Sequence, residues 1–107
     1  MGGRGSDLKL TTLPGSPAVV SAVGSFDIAT VVQLEDAVTR AMAPGGSVVL
    51  DLAGVTVCDS TGLGALVRLQ RHARAIGTEF AVRRPRPHVA DVFAMTGINK
   101  VIAVRND

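Results

Sequence analysis

Residues 57–66, with the sequence VCDSTGLGAL, decide how this chain folds, because they join a strand pattern to a helix pattern. The preceding residues 47–52, SVVLDL, are nearly continuous in apolar side chains, which indicates a strand covered on both faces. After the junction, Leu66 and Leu69 begin the three- and four-residue apolar spacing of a helix. Ser60 stands where this helix begins. It therefore either caps the helix or displays a modifiable hydroxyl at the positive end of the helix dipole.

Length and composition restrict the class of protein. A chain of 107 residues fits one small domain, and 47% hydrophobic residues without Trp or Tyr predict an aliphatic core. No apolar run approaches the ~20 residues of a membrane span, so we expect no membrane partner. The net charge of +2 is too small to indicate nucleic-acid binding. Cys58 is the only cysteine, which excludes an intrachain disulfide and favours a reducing cytoplasm.

The N-terminal residues 1–6, MGGRGS, are rich in glycine and predict a flexible leader before a domain that spans residues 7–107. The same six residues fit the N-myristoylation pattern, which is short enough to arise by chance. The leader is therefore expected to carry no structure of its own.

The order of apolar patterns predicts the fold class. Strand patterns cover residues 7–12, 18–23, 47–52, 79–83 and 100–104. Helical patterns follow the second, third and fourth of these strands. The order β-β-α-β-α-β-α-β predicts a single α/β domain with a mixed, mostly parallel sheet, an antiparallel first hairpin and helices packed against the sheet.

Polar residues follow two of the predicted strands. Asp27 is a good N-cap for the first helix, and Asp59, Ser60 and Thr61 open the second. In an α/β sheet the ends of parallel strands meet at one edge, where sites usually form. The residues alone leave two interpretations open, a pair of helix caps or a functional site.

No other group of residues predicts a catalytic, metal or cofactor site. His72 and His88 lack a second ligand at metal spacing and are expected on the surface. Cys58 has no base beside it in the pattern and is expected to be a small buried side chain. The remaining cluster is basic and consists of Arg83, Arg84 and Arg86. It indicates either a solvated loop or a contact for an acidic partner or a phosphate.

Three segments of the sequence resemble the STAS family, and in particular its single-domain anti-sigma factor antagonists. Residues 24–27, GSFD, resemble the family's Gly-x-aliphatic-Asp after the second strand. Residues 49–52 and 57–64 together resemble its strand and Asp-Ser-Ser/Thr-Gly-Leu-Gly signature, which is the most specific of the three. Residues 87–98 resemble its third helix. With the element order, the resemblance covers residues 7–104.

The resemblance implies partner switching in the cytoplasm of a bacterium. By position, Ser60 would be phosphorylated by an ATP-dependent anti-sigma factor serine kinase, with Thr61 as the lesser acceptor. The unphosphorylated form would bind the anti-sigma factor and free the sigma factor, and phosphorylation would abolish that binding. A metal-dependent phosphatase would reverse it. Asp27 matches an Asp near the same surface that is expected to assist partner contact or phosphotransfer.

The expected partner surface is the signature itself. Gly62 and Gly64 are expected to leave the first helical turn bare, so that a partner's backbone can approach. The whole surface comprises Asp27, Asp59, Ser60, Thr61, Gly62, Leu63 and Gly64. The protein would then be a regulator of transcription and not an enzyme, with no cofactor.

The alternative is a STAS adaptor subunit that docks on a transporter ATPase or another protein without being phosphorylated. Such subunits often lack the serine of the motif, so Ser60 followed by Thr61 argues against it. A small enzyme is the third possibility, but the sequence supplies no pair of nucleophile and base.

Related domains usually carry a further helix after the last strand. Without this helix an apolar surface of the sheet would stay uncovered. We therefore expect the protein to be a monomer or a weak homodimer.

Overall fold

The computed structural model describes residues 7–43 and 45–105, which form a five-stranded sheet with its connecting helices. The elements in chain order are β1 (Leu8–Leu13), β2 (Ala18–Phe26), α1 (Val31–Met42), β3 (Val48–Cys58), α2 (Ser60–Ile76), β4 (Phe80–Arg83), α3 (Pro87–Thr96), a 3₁₀ helix (Ile98–Lys100) and β5 (Ala103–Arg105). The predicted order of strands and α-helices is confirmed. The predicted leader, residues 1–6, lies outside the described residues.

The sheet has the strand order β1-β2-β3-β4-β5. β1 pairs with β2 in antiparallel orientation, and the three pairs that follow are parallel. The mixed, mostly parallel sheet predicted from the sequence is therefore confirmed. Each new parallel strand is added on the same side of the last one, so right-handed crossovers place all three α-helices on one face of the sheet.

The core lies between that face and the helices. Ala18, Val20 and Ala22 of β2 alternate inward, and Leu50 of β3 lies beside Val20 in the parallel register. The helices contribute apolar stripes at three- and four-residue steps, namely Val31, Leu34, Val38 and Met42 from α1 and Ala65, Leu66, Leu69 and Ala73 from α2. All of these residues belong to one continuous cluster. This core holds α1 and α2 against the sheet.

Two strands are longer than their sequence pattern predicted. β2 continues to Phe26 and β3 to Cys58, past the predicted ends at Val23 and Leu52. Two register shifts between β2 and β3, each with its extra residue on β3, allow this continuation, because they keep the two strands paired where the alternation fails. At Gly54 a Cβ would lie 2.7 Å from Cγ2 of Val23, so the irregular pairing there requires glycine. The extension carries both strands to the same edge of the sheet.

The last strand is shorter than predicted. Gly97 ends α3 in the left-handed region, with φ of 81°, and the 3₁₀ helix follows it directly. This tight turn takes up residues that the pattern assigned to a strand, so β5 begins only at Ala103.

The second face of the sheet carries exposed aliphatic side chains. Leu13 and Val23 are 61% and 57% exposed, which fits a face that the helices leave open. Val49 and Asp51 nevertheless lie buried at the centre of this face. Among the described residues, no helix is long and apolar enough to cross a membrane.

Candidate functional site

The signature segment lies at the edge where β2 and β3 end. Phe26 and Cys58 are paired as the last residues of the two strands, and the N–H of Asp59 donates to the carbonyl oxygen of Phe26 at 3.1 Å. Asp27 and Asp59 are therefore the first residues after two neighbouring parallel strands. The prediction that these strand ends meet at one edge is confirmed.

The N-cap of α2 is Asp59. Its backbone is extended, with φ of −88° and ψ of −174°, and its Oδ1 accepts a hydrogen bond from the N–H of Gly62 at 3.0 Å. Its carbonyl oxygen accepts the N–H of Leu63 at 2.9 Å, which is the first intrahelical bond. Ser60 is consequently the first residue of the helix, and the interpretation of Ser60 as the cap is wrong. Asp and Ser are about equally good caps, and the end of β3 selects the residue that is still extended.

Ser60 does not cap the helix, and its side chain is exposed at the start of α2, whereas Thr61 is half-buried. The first N–H groups of a helix have no intrahelical partner, and they give this end a partial positive charge. An anion on the hydroxyl of Ser60 would therefore meet a favourable field and backbone donors from its own helix. Of the two hydroxyls, Ser60 is the one open to a partner.

Asp27 shapes the turn before α1 and does not cap the helix. Its Oδ1 accepts the N–H of Ala29 at 2.9 Å, and its carbonyl oxygen accepts the N–H groups of Thr30 and Val31 at 3.0 Å. The N-cap position belongs to Thr30, whose side chain makes no capping bond to the helix. The prediction that Asp27 is the N-cap is therefore wrong, because one extra turn separates β2 from α1.

Thr30 is a residue of this turn that the sequence reasoning missed. It is buried, and its Oγ1 donates to the carbonyl oxygen of Ser25 at 2.7 Å while accepting the N–H of Asp27 at 3.0 Å. These bonds tie the turn to the end of β2 and hold Asp27 at the edge of the sheet. A threonine three residues after an Asp in a turn was the available signal.

The two glycines of the signature have different environments. A Cβ on Gly62 would lie 2.6 Å from the carbonyl oxygen of Phe26 and 2.7 Å from its Cβ, so Gly62 lets α2 approach the end of β2. It is buried, and the expectation that it leaves the helix surface bare is wrong. A Cβ on Gly64 would meet only Nη1 of Arg68, at 3.4 Å. Of the two glycines, only Gly64 leaves the surface of α2 without a side chain at its position.

An ion pair joins the two helices below the site. Nε and Nη2 of Arg68 donate to the two carboxylate oxygens of Glu35 at 3.0 and 2.9 Å. The hydrogen bonds from Glu35 raise the pKa of Arg68 above its ordinary value, which keeps the guanidinium charged. The bidentate pair fixes how α1 and α2 lie side by side, although its exposure limits what it adds to stability.

Cys58, which directly precedes Asp59, is half-buried and packs against the core. Burial, with a further contribution from the charge of Asp59, raises the pKa of its thiol to about 12. The thiol is therefore held in its protonated form at neutral pH, which disfavours a nucleophilic role. His72 and His88 are exposed as expected, and in the described part of the chain no three His, Cys, Asp or Glu side chains are grouped as a metal site requires.

The arginines before α3 contact a buried carboxylate that the sequence reasoning did not single out. Asp51 is 4% exposed, and its Oδ2 accepts hydrogen bonds from Arg83 and Arg84 while Oδ1 accepts the N–H of Ala53. Burial raises the pKa of Asp51, but the bonds from Arg84, Ala53 and Arg83 together outweigh burial and hold it below the ordinary value. Arg83 and Arg84 therefore form neither a solvated loop nor an unoccupied anion contact, since both bind Asp51. Arg86 is exposed, and its Nε donates to the carbonyl oxygen of Ala53.

A cavity of about 640 Å³ lies at the opposite edge of the sheet. Pro14 and Gly15 of the hairpin, Ala37 and Ala41 of α1, and Gly46 before β3 line it. It is remote from Ser60 and takes no part in the site.

Comparison with known proteins gives both a family and a fold. A family model described as "Mlab, STAS domain" matches residues 10–104. A STAS-domain containing protein of Pseudomonas aeruginosa (strain UCBPP-PA14) is 25% identical over 100 residues, which cover 91% of this chain and 99% of that protein.

Solved structures show the same fold. An anti-sigma factor antagonist from Mycobacterium paratuberculosis superposes with a TM-score of 0.77 at 23% identity, covering 94% of this chain and 87% of that one. The anti-sigma factor antagonist SpoIIAA in its unphosphorylated form superposes with a TM-score of 0.73 at 19% identity, covering 94% and 90%. The family match over residues 10–104 confirms the resemblance seen in the sequence: this chain belongs to the STAS domain family.

Proposed function

We propose that this STAS domain is an anti-sigma factor antagonist that acts by partner switching. In its unphosphorylated form it binds an anti-sigma factor kinase in the bacterial cytoplasm and thereby releases a sigma factor. The kinase phosphorylates Ser60, the complex dissociates, and a metal-dependent phosphatase restores the binding form. The domain acts by binding and performs no catalysis of its own.

The position of Ser60 carries the proposal. Its side chain is exposed at the first residue of α2, while the neighbouring Asp59 supplies the cap. A kinase can reach this hydroxyl without opening the domain. Because capping does not depend on it, Ser60 is free to be modified while α2 stays intact.

The same position explains why the fold tolerates a phosphate that a partner does not. A phosphoryl group adds about −1.5 to −2 charge, and the N-terminus of α2 favours a negative charge. In a complex, the phosphate would lose water beside the carboxylates of Asp27 and Asp59, and a buried uncompensated charge costs several kcal/mol. At ~1.4 kcal/mol per tenfold change in affinity, binding falls by orders of magnitude without refolding.

Phosphorylation by the cognate kinase tests the proposal. The protein is incubated with its anti-sigma factor kinase and ATP, alone and as the Ser60→Ala and Thr61→Ala variants, and the modified residue is mapped by mass spectrometry. We expect phosphate on Ser60 in the wild type and the Thr61→Ala variant, and none in the Ser60→Ala variant. Phosphate confined to a residue other than Ser60 and Thr61 overturns the assignment.

A binding measurement separates the switch from misfolding. Ser60→Asp is expected to weaken binding to the anti-sigma factor by orders of magnitude while its thermal midpoint stays that of the wild type. Unchanged binding of the Ser60→Asp variant contradicts the switch. A chain that is never phosphorylated and instead binds a transporter ATPase has the alternative adaptor function.

A further inference from the structure

Two aliphatic side chains at the start of α1 are almost fully exposed. Ile28 is 79% exposed and Val32 is 77% exposed. They stand four residues apart in sequence, with Ile28 in the turn that the N–H of Val31 closes on the carbonyl oxygen of Asp27 and Val32 in the first turn of α1. Exposed aliphatic residues are common singly, but an adjacent pair next to a candidate site indicates a contact surface.

Folding does not explain this pair. α1 buries Val31, Leu34, Val38 and Met42 against the sheet, and Val32 points away from that stripe. Polar residues at these positions would leave the core unchanged. The two side chains are therefore available for a partner at little cost to the domain.

The pair lies at the same edge of the sheet as Ser60. Asp27, the residue before Ile28, stands at the same edge as Asp59, because the N–H of Asp59 binds the carbonyl oxygen of Phe26. Deeper along the helices, Glu35 of α1 is bonded to Arg68 of α2. One turn closer to the N-terminus of each helix lie Val32 on α1 and Gly64 on α2. The N-terminal turns of α1 and α2 therefore lie side by side.

The surface has the anatomy of a small interface. Its centre is apolar, with Ile28 and Val32 beside the low surface at Gly64. Asp27 and Asp59 add carboxylates at the same edge of the sheet. Protein interfaces combine a desolvated apolar centre with a polar rim in this way, and a few central side chains carry most of the affinity.

We propose, resting on the proposed function, that Ile28 and Val32 form the apolar anchor on which the anti-sigma factor packs an aliphatic surface. The occupant follows from continuity with the surface around Ser60. This anchor also explains the strength of the switch. A phosphoryl group on Ser60 would be enclosed at the margin of an apolar contact, where its lost hydration is not replaced.

Titration of the anti-sigma factor into variants tests the anchor. The dissociation constant is measured by calorimetry for the wild type, Ile28→Ser, Val32→Ser and the double variant. Burial of one such side chain corresponds to roughly a ten- to hundredfold change in Kd, so each single variant is expected to weaken binding by about that factor. Val and Ser have similar helix propensities, so the thermal midpoint of Val32→Ser is expected to stay unchanged.

Met95→Ser is the matched control, since Met95 on α3 is 84% exposed and lies outside the proposed surface. It is expected to change Kd by less than about threefold. Wild-type affinity in the double variant overturns the anchor and leaves the proposed function intact. A wild type that binds no anti-sigma factor overturns the proposed function itself. A wild-type dimer that the double variant converts to a monomer also overturns the proposal, because a second copy then covers the pair.

Discussion

Asp51 and Asp59 belong to the same segment of chain and have opposite environments. Asp51 lies in the middle of β3, 4% exposed, with two arginines and a backbone N–H on its carboxylate. Asp59 directly follows β3, is exposed, and makes one side-chain bond to the N–H of Gly62. The first carboxylate is enclosed by the fold, whereas the second and the adjacent Ser60 are exposed.

The difference shows how one strand supports two roles. β3 is held at its centre by contacts with residues more than thirty positions away in sequence, namely Arg83 and Arg84. The side chain of Asp59, just after its end, makes only a local bond, to the N–H of Gly62. Substitutions along this segment should therefore affect stability most at the centre and least at Ser60.

Asp51→Asn is expected to have the largest effect. It removes the negative charge that Arg83 and Arg84 contact in a buried cluster. Breaking a fully buried pair costs 3–5 kcal/mol, but these arginines are 26% and 52% exposed, so we expect a loss of about 2–3 kcal/mol. Urea denaturation measures it.

Asp36→Asn is the matched control, because its pair with Arg40 on α1 is exposed and should contribute at most about 0.5 kcal/mol. Equal losses in the two variants would contradict the structural role of Asp51.

The pH dependence of stability provides a second test of the role of Asp51. The pKa of Asp51 is lowered by folding, so its contribution is present above the unfolded-state pKa of about 3.9 and is lost as pH falls through the lower folded value. The difference in stability between wild type and Asp51→Asn should therefore narrow below about pH 4.

Much of the fold was predictable because its signals are local. Strand patterns, including the nearly continuous apolar run of residues 47–52, located the strands, and three- and four-residue spacing located α1 and α2. The full lengths of β2 and β3 were not predictable, because the register shifts depend on how Gly54 packs against Val23. The cluster around Asp51 was missed for the same reason: nothing near Asp51 in sequence shows that Arg83 will cover it.

The candidate site divides in the same way. The meeting of Asp27 and Asp59 at one edge followed from the strand order alone. The assignment of caps did not, since Asp59 and Ser60 are both good capping residues and only the end of β3 distinguishes them. The roles of Gly62 and Gly64 likewise depend on whether Phe26 is near.

Alanine at the two glycines is expected to have opposite effects. Gly62→Ala places a methyl group 2.6 Å from the carbonyl oxygen of Phe26, which forces α2 from the end of β2 and costs about 1–3 kcal/mol. Gly64→Ala meets only the flexible end of Arg68 and gains helix propensity, so it should stabilise the domain by about 0.5–1 kcal/mol. Thermal denaturation of the two variants gives the comparison. Loss of stability in both would mean that the start of α2 tolerates no side chain at either position.

The smallest expected effects on stability distinguish the capping residue, Asp59, from the proposed phosphate acceptor, Ser60. Asp59→Ala removes the oxygen that accepts the N–H of Gly62 and should cost about 1 kcal/mol. Ser60→Ala removes an exposed hydroxyl with no capping bond and should change stability by less than about 0.5 kcal/mol. Urea denaturation under identical conditions resolves this order, and the reverse order would return the capping role to Ser60. If Ser60→Ala is as stable as the wild type, its loss of phosphorylation reports the missing hydroxyl alone, since α2 still begins at the same residue with the same cap.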